Sequence, residues 1–284
     1  MTAPLGALLD ALITRALEED LAGGDLSTDA VIGRDQRAVA RAIAKAPLVL
    51  CGADVFARVF YTVDPGLRVE RFVDDGERCA PGTPLLAVEG AARSILLGER
   101  TALNFLQRLC GIATLTRAYV DAIPAGTRLR ITDTRKTTPG LRALERWAVR
   151  VGGAHNHRND LGSAVLLKDN HIAAAGGVKR AIELARERAP HTSRIEVEVA
   201  SLAMLDAALE AGADIVMLDN LQGDALREGV RRASGRALVE VSGGVTLDRI
   251  PELARLGVDV VSVGALTHSA PAADVSLVLE TLGG

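Results

Sequence analysis

The apolar residues at the start of the chain recur with a helical period. Leucine and isoleucine return every three or four residues between Pro4 and Asp20, which predicts an amphipathic helix that a glycine pair then ends. From about 36 to 90, short alternating or wholly apolar runs predict strands, because Asp, Gly and Pro separate them. A helical pattern at about 53–62 interrupts these strands. Together the patterns predict a small α+β domain.

The pattern becomes more regular in the second half of the chain. A helical pattern covers about 91–123, with a break expected near Gly111. After Pro124, six short apolar runs follow, each ending in polar or glycine residues before a helical stretch. Strands that alternate with helices predict βα units and a parallel sheet. Six units are too few for the usual eight-unit barrel of ~250 residues, so a reduced barrel is favoured over an open sheet.

The predicted fold class is therefore α/β with two domains. An N-terminal α/β (α+β) sandwich domain covers 1–110, and a reduced, six- to seven-stranded parallel α/β barrel covers 111–270. The segment that starts at Val275 alternates like a strand. A C-terminal strand at about 271–284 is therefore expected to join the N-terminal sheet.

The composition excludes several classes of protein. The 284 residues include 33 Lys+Arg and 36 Asp+Glu, so a net charge of −3 provides no basic field for nucleic acid or an anionic membrane. No apolar run approaches the ~18–20 residues of a membrane span, and the acidic residues at 18–20 argue against a signal peptide. Cys51, Cys79 and Cys110 form no pair motif, which favours a reducing, cytoplasmic setting over a disulfide framework.

Polar residues end each predicted parallel strand, and such ends form the ligand-binding edge of parallel α/β folds. Only four of the 33 basic residues are lysine, and two of the four lie at these ends. The glycine-rich ends of the last two strands favour a phosphate bound by backbone N–H groups, with plain tight turns as the alternative. In chain order, the strand ends are Asp133–Thr137, Lys168–His171, Glu198, Asp219–Asn220, Ser242–Gly244 and Val263–Ala265.

Two of these ends are acidic and belong to neighbouring strands. Hard oxygen ligands at Glu198 and Asp219, beside a phosphate site, favour Mg²⁺ or the hydroxyl groups of a sugar. Salt bridges to nearby lysines are the alternative interpretation.

The cations near the strand ends also allow two interpretations. A Schiff-base lysine, as in an aldolase, needs one desolvated amine, whereas several cations together are typical of a site for a polyanion. The number of cations favours the polyanion; they are Arg135, Lys136, Arg142, Arg158 and Lys168.

Histidines alternate in the segment before Arg158. If the segment is extended, only one of His155 and His157 can face a given ligand, and a zinc site would need a third ligand close by. We favour His157 and Arg158 as contacts for an anion, and His171 and His268 as structural residues. The expected ligands are thus a small polycarboxylate and a phosphorylated sugar.

Ten short sequence motifs, in order along almost the whole chain, resemble the quinolinate phosphoribosyltransferase family. Each motif is weak alone, but ten in order with matching spacing are specific. The matching segments are Gly24–Thr28, Glu99–Leu106, Gly111–Thr114, Asp133–Arg142, Asn156–Arg158, Lys168–His171, Glu196–Glu198, Met217–Asn220, Ser242–Gly244 and Ser262–Ser269.

The resemblance implies an activity and an assembly. Members of this family combine quinolinate with 5-phosphoribosyl 1-pyrophosphate, with Mg²⁺, to give nicotinate mononucleotide, pyrophosphate and CO₂. The implied fold is an N-terminal α/β sandwich packed on a small α/β barrel. The implied assembly is a homodimer or a higher multiple of it, with Arg100 crossing the interface into the partner's pocket. No nucleic-acid or membrane partner is implied.

The resemblance also implies roles for individual residues. Arg135, Arg158 and Lys168, with His157 nearby and Arg100 from the partner, are expected to hold the carboxylates of quinolinate. The implied catalytic residues are Lys136, Lys168, Glu198 and Asp219, with Glu198 and Asp219 as metal ligands. Lys136, Glu198 and Asp219 are expected to serve the ribose, the pyrophosphate and the metal. The 5′-phosphate is expected to bind at two strand ends, formed by Ser242, Gly243 and Gly244 and by Val263, Gly264 and Ala265. Thr134 and Arg142 are the remaining implied substrate contacts.

The sequence departs from the family pattern at a few positions. Ala154 replaces an expected glycine, and Asn159–Ser163 differs from the usual stretch, so the loop that flanks Arg158 departs from the pattern on both sides. Cys110 replaces a usual serine and is expected to be a packing residue rather than a nucleophile.

Other functions remain as alternatives. A related phosphoribosyltransferase-like paralogue, found with molybdenum-transport genes, acts on another substrate but generally lacks the motif at Lys168–His171. A nicotinate-specific transferase would need fewer arginines. A non-catalytic phosphate-sugar binding protein would not need both Glu198 and Asp219. A lipoyl-type carrier is excluded, because no lysine lies between 46 and 135.

Overall fold

A computed structural model describes residues 6–282 of the chain. Its helices are α1 (Ala7–Leu21), α2 (Leu26–Val31), α3 (Ala53–Val63), α4 (Ala92–Asp121), α5 (Arg142–Val151), α6 (Asp169–Ala175), α7 (Val178–Arg188), α8 (Leu202–Glu210), α9 (Gly223–Ala233), α10 (Ile250–Arg255) and α11 (Ala265–His268), with a 3-10 turn at Leu247–Arg249. Its strands are β1 (Arg37–Ala44), β2 (Leu48–Val49), β3 (Arg68–Arg71), β4 (Arg78–Cys79), β5 (Pro84–Ala91), β6 (Arg130–Thr132), β7 (Val165–Leu167), β8 (Ile195–Val199), β9 (Ile215–Asp219), β10 (Leu238–Ser242), β11 (Val260–Ser262) and β12 (Val275–Thr281).

The chain divides into two compact units. The N-terminal unit runs to Arg117 and also includes Thr137–Gly153 and the segment from Leu266 onward. The barrel unit comprises Ala118–Lys136 and Ala154–Ala265. The first predicted helix is confirmed from Ala7 onward, whereas its expected start at Pro4 and the last two residues of the expected C-terminal strand lie outside the described residues.

The N-terminal unit contains an antiparallel sheet with the strand order β12-β1-β5-β3. Alternation gives β1 one buried face made only of alanine, at Ala38, Ala40, Ala42 and Ala44. The alternating C-terminal segment forms β12 and pairs antiparallel with β1 along its length. The outermost strands of this sheet are therefore far apart in sequence.

Helix α4 passes through Gly111 without interruption, so the predicted break there is wrong. The glycine serves close packing instead, because a Cβ at this position would collide with the carbonyl oxygen of Pro271. The neighbouring Cys110 is fully buried, and burial raises the pKa of its thiol to about 12. Cys110 is therefore a protonated packing residue, as expected from the sequence.

The barrel unit contains six parallel strands in the order β6-β11-β10-β9-β8-β7. In a flat sheet, β6 and β8 would be four strands apart, or ~19 Å at the usual strand spacing. The chain next to β6, where His155 bridges to Thr132, nevertheless brings the Nε2 atom of His157 to 3.4 Å from Glu196 on β8. The same atom lies 3.3 Å from Glu240 on β10. Such contacts require a curved sheet that encloses an interior, which confirms the predicted reduced barrel.

None of the helices within residues 6–282 has both the length and the apolar character that would let it cross a membrane.

Candidate active site

The parallel strands bring their carboxyl ends to one end of the barrel unit. The register places Ser242 opposite Asp219, and Ser262 opposite Thr132. On β8, Glu198 is opposite Met217, so Asp219 lies one side-chain layer beyond Glu198 on the same strand face. The predicted convergence of these strand ends therefore follows from the topology.

Lys168 and Glu198 form an ion pair across the ends of β7 and β8. The pairing follows from the register, because Leu167 is opposite Val197 and the next residue of each strand is a member of the pair. Lys168 also precedes α6, where its backbone N–H donates to Nδ1 of His171 at 3.1 Å. His171 thus has the structural role expected for it, and Glu198 makes the salt bridge that the sequence left as an alternative.

The turn after β9 contacts the turn after β10. Asn220 has a φ of 56°, the one positive φ of a non-glycine residue within the described part of the chain. Its side chain donates to Oδ2 of Asp219 at 2.8 Å, and its backbone N–H donates to the carbonyl of Ser242 at 3.3 Å. Gly243 and Gly244 have φ values of 87° and 58°. Left-handed turns of this kind present backbone N–H groups to an anion.

Replacing Gly243 by alanine is expected to lower the free energy of unfolding by about 2–3 kcal/mol. A Cβ at Gly243 would both strain a left-handed backbone and collide with the side-chain oxygen of Asn220. Alanine at Gly244 is the matched control, because its backbone is also left-handed but nothing lies within 4 Å of the added Cβ. Its cost is expected to be about 1 kcal/mol. Equal losses in urea unfolding would contradict the role of the Asn220 contact.

His157 lies inside the barrel unit with two glutamates. Its Nε2 faces Glu196 and Glu240, and its Nδ1 accepts a hydrogen bond from the backbone N–H of Arg158 at 2.8 Å. An accepting Nδ1 assigns the ring proton of the neutral imidazole to Nε2, the nitrogen that faces the carboxylates. The ligand atoms of these three side chains lie within 4.8 Å of one another, close enough to hold a metal ion. The proton on Nε2 opposes that use, since a metal needs the free lone pair.

These three side chains, the carboxylate–histidine cluster of His157, Glu196 and Glu240, hold an extra proton at neutral pH. Burial alone would lower the pKa of His157, but hydrogen bonds to Glu196 and Glu240 outweigh it and raise the pKa to about 10. Burial also raises the pKa of the Glu196 carboxyl. The Arg158 N–H, which approaches Nδ1, opposes the rise in the pKa of His157, because a protonated imidazole carries a hydrogen there. The cluster is thus a buried group of ionisable side chains below the strand ends, with Nε2 of His157 3.4 Å from Glu196 and 3.3 Å from Glu240.

Replacing Glu240 by glutamine is expected to destabilise the protein by about 1–3 kcal/mol at pH 7, with a smaller cost at pH 10. The raised pKa of His157 stabilises the fold fully below its unfolded value of ~6.5, and this contribution is lost as the pH rises through about 10. Loss of the Glu240 charge removes one cause of the raised pKa. Urea unfolding at pH 7, 8.5 and 10 measures the difference. The exposed Glu252, replaced in the same way, serves as the control. A cost for Glu240→Gln that does not change with pH would contradict this assignment.

Sequence reasoning did not single out Glu196 or Glu240. Both are buried inside mostly apolar strands, on the same strand faces as Glu198 and Ser242 respectively. A glutamate inside a buried strand is rare without a partner, and this is the signal that could have found them. Of the two alternating histidines, His155 is exposed and His157 points into the barrel unit, as the alternation predicts.

The remaining candidate residues divide between the two units. After β6, the backbone N–H of Lys136 donates to Oγ1 of Thr134 at 3.1 Å, and Lys136 is exposed. After β11, the backbone N–H of Val263 donates to the carbonyl of Thr132 at 2.9 Å. Three further placements complete the set: Arg135 is half-buried between Thr134 and Lys136, Arg158 donates from Nη1 to the carbonyl of Ala164 at 3.2 Å, and Gly264 and Ala265 follow Val263. Arg100, exposed on α4, and Arg142, at the start of α5, belong to the N-terminal unit.

The fold and the strand ends define a class of protein: a parallel α/β barrel with cationic side chains, carboxylates and left-handed glycine turns at the carboxyl ends of its strands. Comparison with known proteins narrows the class. Residues 112–278 match the C-terminal domain of quinolinate phosphoribosyl transferase, and residues 25–110 match its N-terminal domain. The chain therefore belongs to the quinolinate phosphoribosyltransferase family.

Individual relatives agree with this membership. A nicotinate-nucleotide pyrophosphorylase [carboxylating] of Mycobacterium leprae is 45% identical, over 93% of this chain and 95% of the relative. A human protein of the same name is 42% identical, over 95% of this chain and 91% of the relative. The crystal structure of NadC from Streptococcus pyogenes matches with a TM-score of 0.94 and 43% identity, and covers 100% of both chains.

Proposed function

We propose that the protein transfers the phosphoribosyl group of 5-phosphoribosyl 1-pyrophosphate to quinolinate and releases pyrophosphate and CO₂, giving nicotinate mononucleotide for NAD biosynthesis. The observation that carries the proposal is the set of strand ends on the barrel unit. There, Lys168 and Glu198 are paired, Asp219 lies one layer beyond, and left-handed glycines follow Ser242. Family membership and the names of the relatives support the same reaction.

Cationic side chains recognise the two adjacent carboxylates of quinolinate in this proposal. Planar guanidinium groups at Arg135 and Arg158 match carboxylates with paired hydrogen bonds, and Lys168 adds a point charge. Support comes from Arg158, whose guanidinium is partly desolvated; burial and the nearby Arg135 lower its pKa. Two cations held close together favour an anion between them. His157 lies behind this clamp, and Arg100 reaches it from the partner subunit of a homodimer.

The second substrate occupies the other strand ends. Backbone N–H groups at Ser242–Gly244 and Val263–Ala265 bind its 5′-phosphate, while Lys136 serves its ribose and pyrophosphate together with Glu198 and Asp219. Thr134 and Arg142 are further substrate contacts in this proposal. Glu198 and Asp219 would hold Mg²⁺, and their carboxylate oxygens from neighbouring strands fit a hard divalent cation. When bound, Mg²⁺ neutralises charge on the pyrophosphate leaving group.

The chain's own residues contribute positioning and electrostatics rather than a nucleophile. Departure of pyrophosphate leaves a cationic, oxocarbenium-like ribose, which the carboxylates of Glu198 and Asp219 stabilise. Lys136 and Lys168 hold the anionic groups in line. After transfer, the positive ring nitrogen stabilises the electron pair that CO₂ leaves on the adjacent ring carbon, and that carbon then takes a proton from water, so decarboxylation needs no dedicated acid or base. A cytoplasmic location belongs to the same proposal, and the three unpaired cysteines fit a reducing compartment.

A coupled assay tests this function. Purified protein receives 5-phosphoribosyl 1-pyrophosphate and Mg²⁺ with either quinolinate or nicotinate, while nicotinate mononucleotide and CO₂ are measured. Product is expected in the reaction with quinolinate and not in the reaction with nicotinate. Turnover of nicotinate, or no turnover of quinolinate by a folded protein that binds both substrates, would contradict the proposed function and favour the paralogue or the sugar-phosphate binding protein.

A further inference from the structure

We propose that Asp133 is a positioning residue for the quinolinate clamp, because its buried carboxylate fixes the segment His155–Arg158 against β6. The inference rests on the proposed function and adds to it the group that determines where His157 and Arg158 point. Asp133 follows β6 directly and is completely buried.

Both oxygens of the Asp133 carboxylate hold this segment. Oδ1 accepts from the backbone N–H of His157 at 2.8 Å, and Oδ2 accepts from the side-chain amide of Asn156 at 2.6 Å. Backbone bonds align the same two chains. The N–H of His155 donates to the carbonyl of Ile131 at 2.9 Å, and the N–H of Asp133 donates to the carbonyl of His155 at 3.3 Å. The segment therefore lies against β6 like a short additional strand.

Register decides which side chains of such a segment face the barrel interior. A shift of one residue would turn His157 outward and bring a neighbour inward, because side chains alternate. Two hydrogen bonds to a buried carboxyl group resist that shift, since a carboxyl group that lost them would be buried without compensation. Asp133 thus keeps His155 exposed and His157 directed at Glu196 and Glu240.

Arg158 takes its position from the same anchor. The backbone N–H of Arg158 donates to Nδ1 of His157. Because Asp133 holds His157 in place, it also determines the position of the Arg158 backbone. Beyond Arg158 the chain closes a turn of its own, in which Oδ1 of Asp160 accepts from Gly162 at 2.9 Å and from Ser163 at 2.7 Å. The backbone of the clamp is therefore set from the β6 side, whereas the guanidinium of Arg158 is held by the carbonyl of Ala164, beyond the turn, at 3.2 Å.

The Asp133–Asn156 pair allows a reciprocal exchange. Asp133→Asn places an amide opposite the amide of Asn156, so two donors face each other, although an oxygen remains for the His157 N–H. Asn156→Asp instead places two buried carboxylates together. The double variant restores one donor and one acceptor in reversed order, with the same atoms and the same net charge.

Steady-state kinetics with each substrate varied in turn test the inference. Asp133→Asn is expected to raise the KM for quinolinate about 10- to 100-fold and to change the KM for 5-phosphoribosyl 1-pyrophosphate by less than about 3-fold. The Asp133→Asn/Asn156→Asp variant is expected to recover most of the quinolinate KM. Asn156→Ala removes the amide that donates to Oδ2 of Asp133 and is expected to raise that KM about 3- to 10-fold, which keeps the test available if Asp133→Asn folds poorly.

Asp224→Asn provides a matched control, because this aspartate is fully exposed on α9 and should leave both KM values unchanged. Equal changes in the two KM values for Asp133→Asn or Asn156→Ala would overturn the inference. The absence of recovery in a folded double variant would also overturn it. Wild-type protein that fails to turn over quinolinate would instead defeat the proposed function, and the inference with it.

Discussion

Replacing Lys168 by alanine is expected to lower kcat/KM for quinolinate by about 100-fold or more. The change removes a cation from the site of a dianionic substrate, and it leaves the mostly buried carboxylate of Glu198 without its ion-pair partner. An unbalanced carboxylate then repels the substrate that the lysine attracted. Most of the loss should appear in the KM for quinolinate, because the proposed role of Lys168 is binding and positioning.

Two variants make the Lys168 result specific. Lys179→Ala changes an exposed lysine on α7 and should leave the kinetics unchanged. Lys168→Arg keeps the charge but not the compact ammonium, so a partial loss is expected. Intact kinetics in Lys168→Ala would refute the proposed role of this residue in the site.

Asp219→Asn is expected to lower kcat by about 100- to 1,000-fold with little loss of stability. The amide keeps the shape of the side chain and can still accept from Asn220, whereas the negative charge beside the developing ribose cation is lost. A higher Mg²⁺ concentration for half-maximal activity is expected as well, because a carboxylate is a better magnesium ligand than an amide.

Asp214 offers a control at the opposite end of the same strand. It precedes β9, and its carboxylate accepts from the N–H of Ile195 at 2.7 Å and from Arg186 at 2.9 Å. Residues at the amino ends of barrel strands serve stability rather than catalysis. Asp214→Asn should therefore lower the unfolding midpoint and keep kcat, the reverse of Asp219→Asn. If both variants lost activity to the same degree, the assignment of Asp219 would be wrong.

The elements that the sequence predicted well are those with a strong local period. Helix α3 at Ala53–Val63 and the six strands of the barrel unit were predictable because alternation and helical spacing are properties of adjacent residues. The candidate residues at the strand ends followed from the same pattern, since a polar residue after an apolar run marks the end of a strand. Strand β4, of two residues, has too little pattern to be predicted, and the apolar run that predicts one strand up to Leu50 is divided in the structure into β1 and the two-residue β2.

The errors and omissions involve residues distant in the sequence. Gly111 was expected to break a helix because glycine has a poor helical propensity. In the structure it makes room for Pro271, 160 positions further along the chain, which no local pattern reveals. Glu196 and Glu240 were overlooked for a similar reason, since their partner His157 comes from the opposite side of the curved sheet.

The sequence by itself determined the class of fold, the order of the strands along the chain and the chemical types at their ends, because these depend on periodicity and on residue identity. Only the tertiary structure decided which of those groups meet. The closure of the barrel unit brings His157 to its two glutamates, and Asp133 determines the register in which His157 and Arg158 are presented. Contacts of this kind depend on the path of the chain in three dimensions, and hydrophobic periodicity contains no information about them.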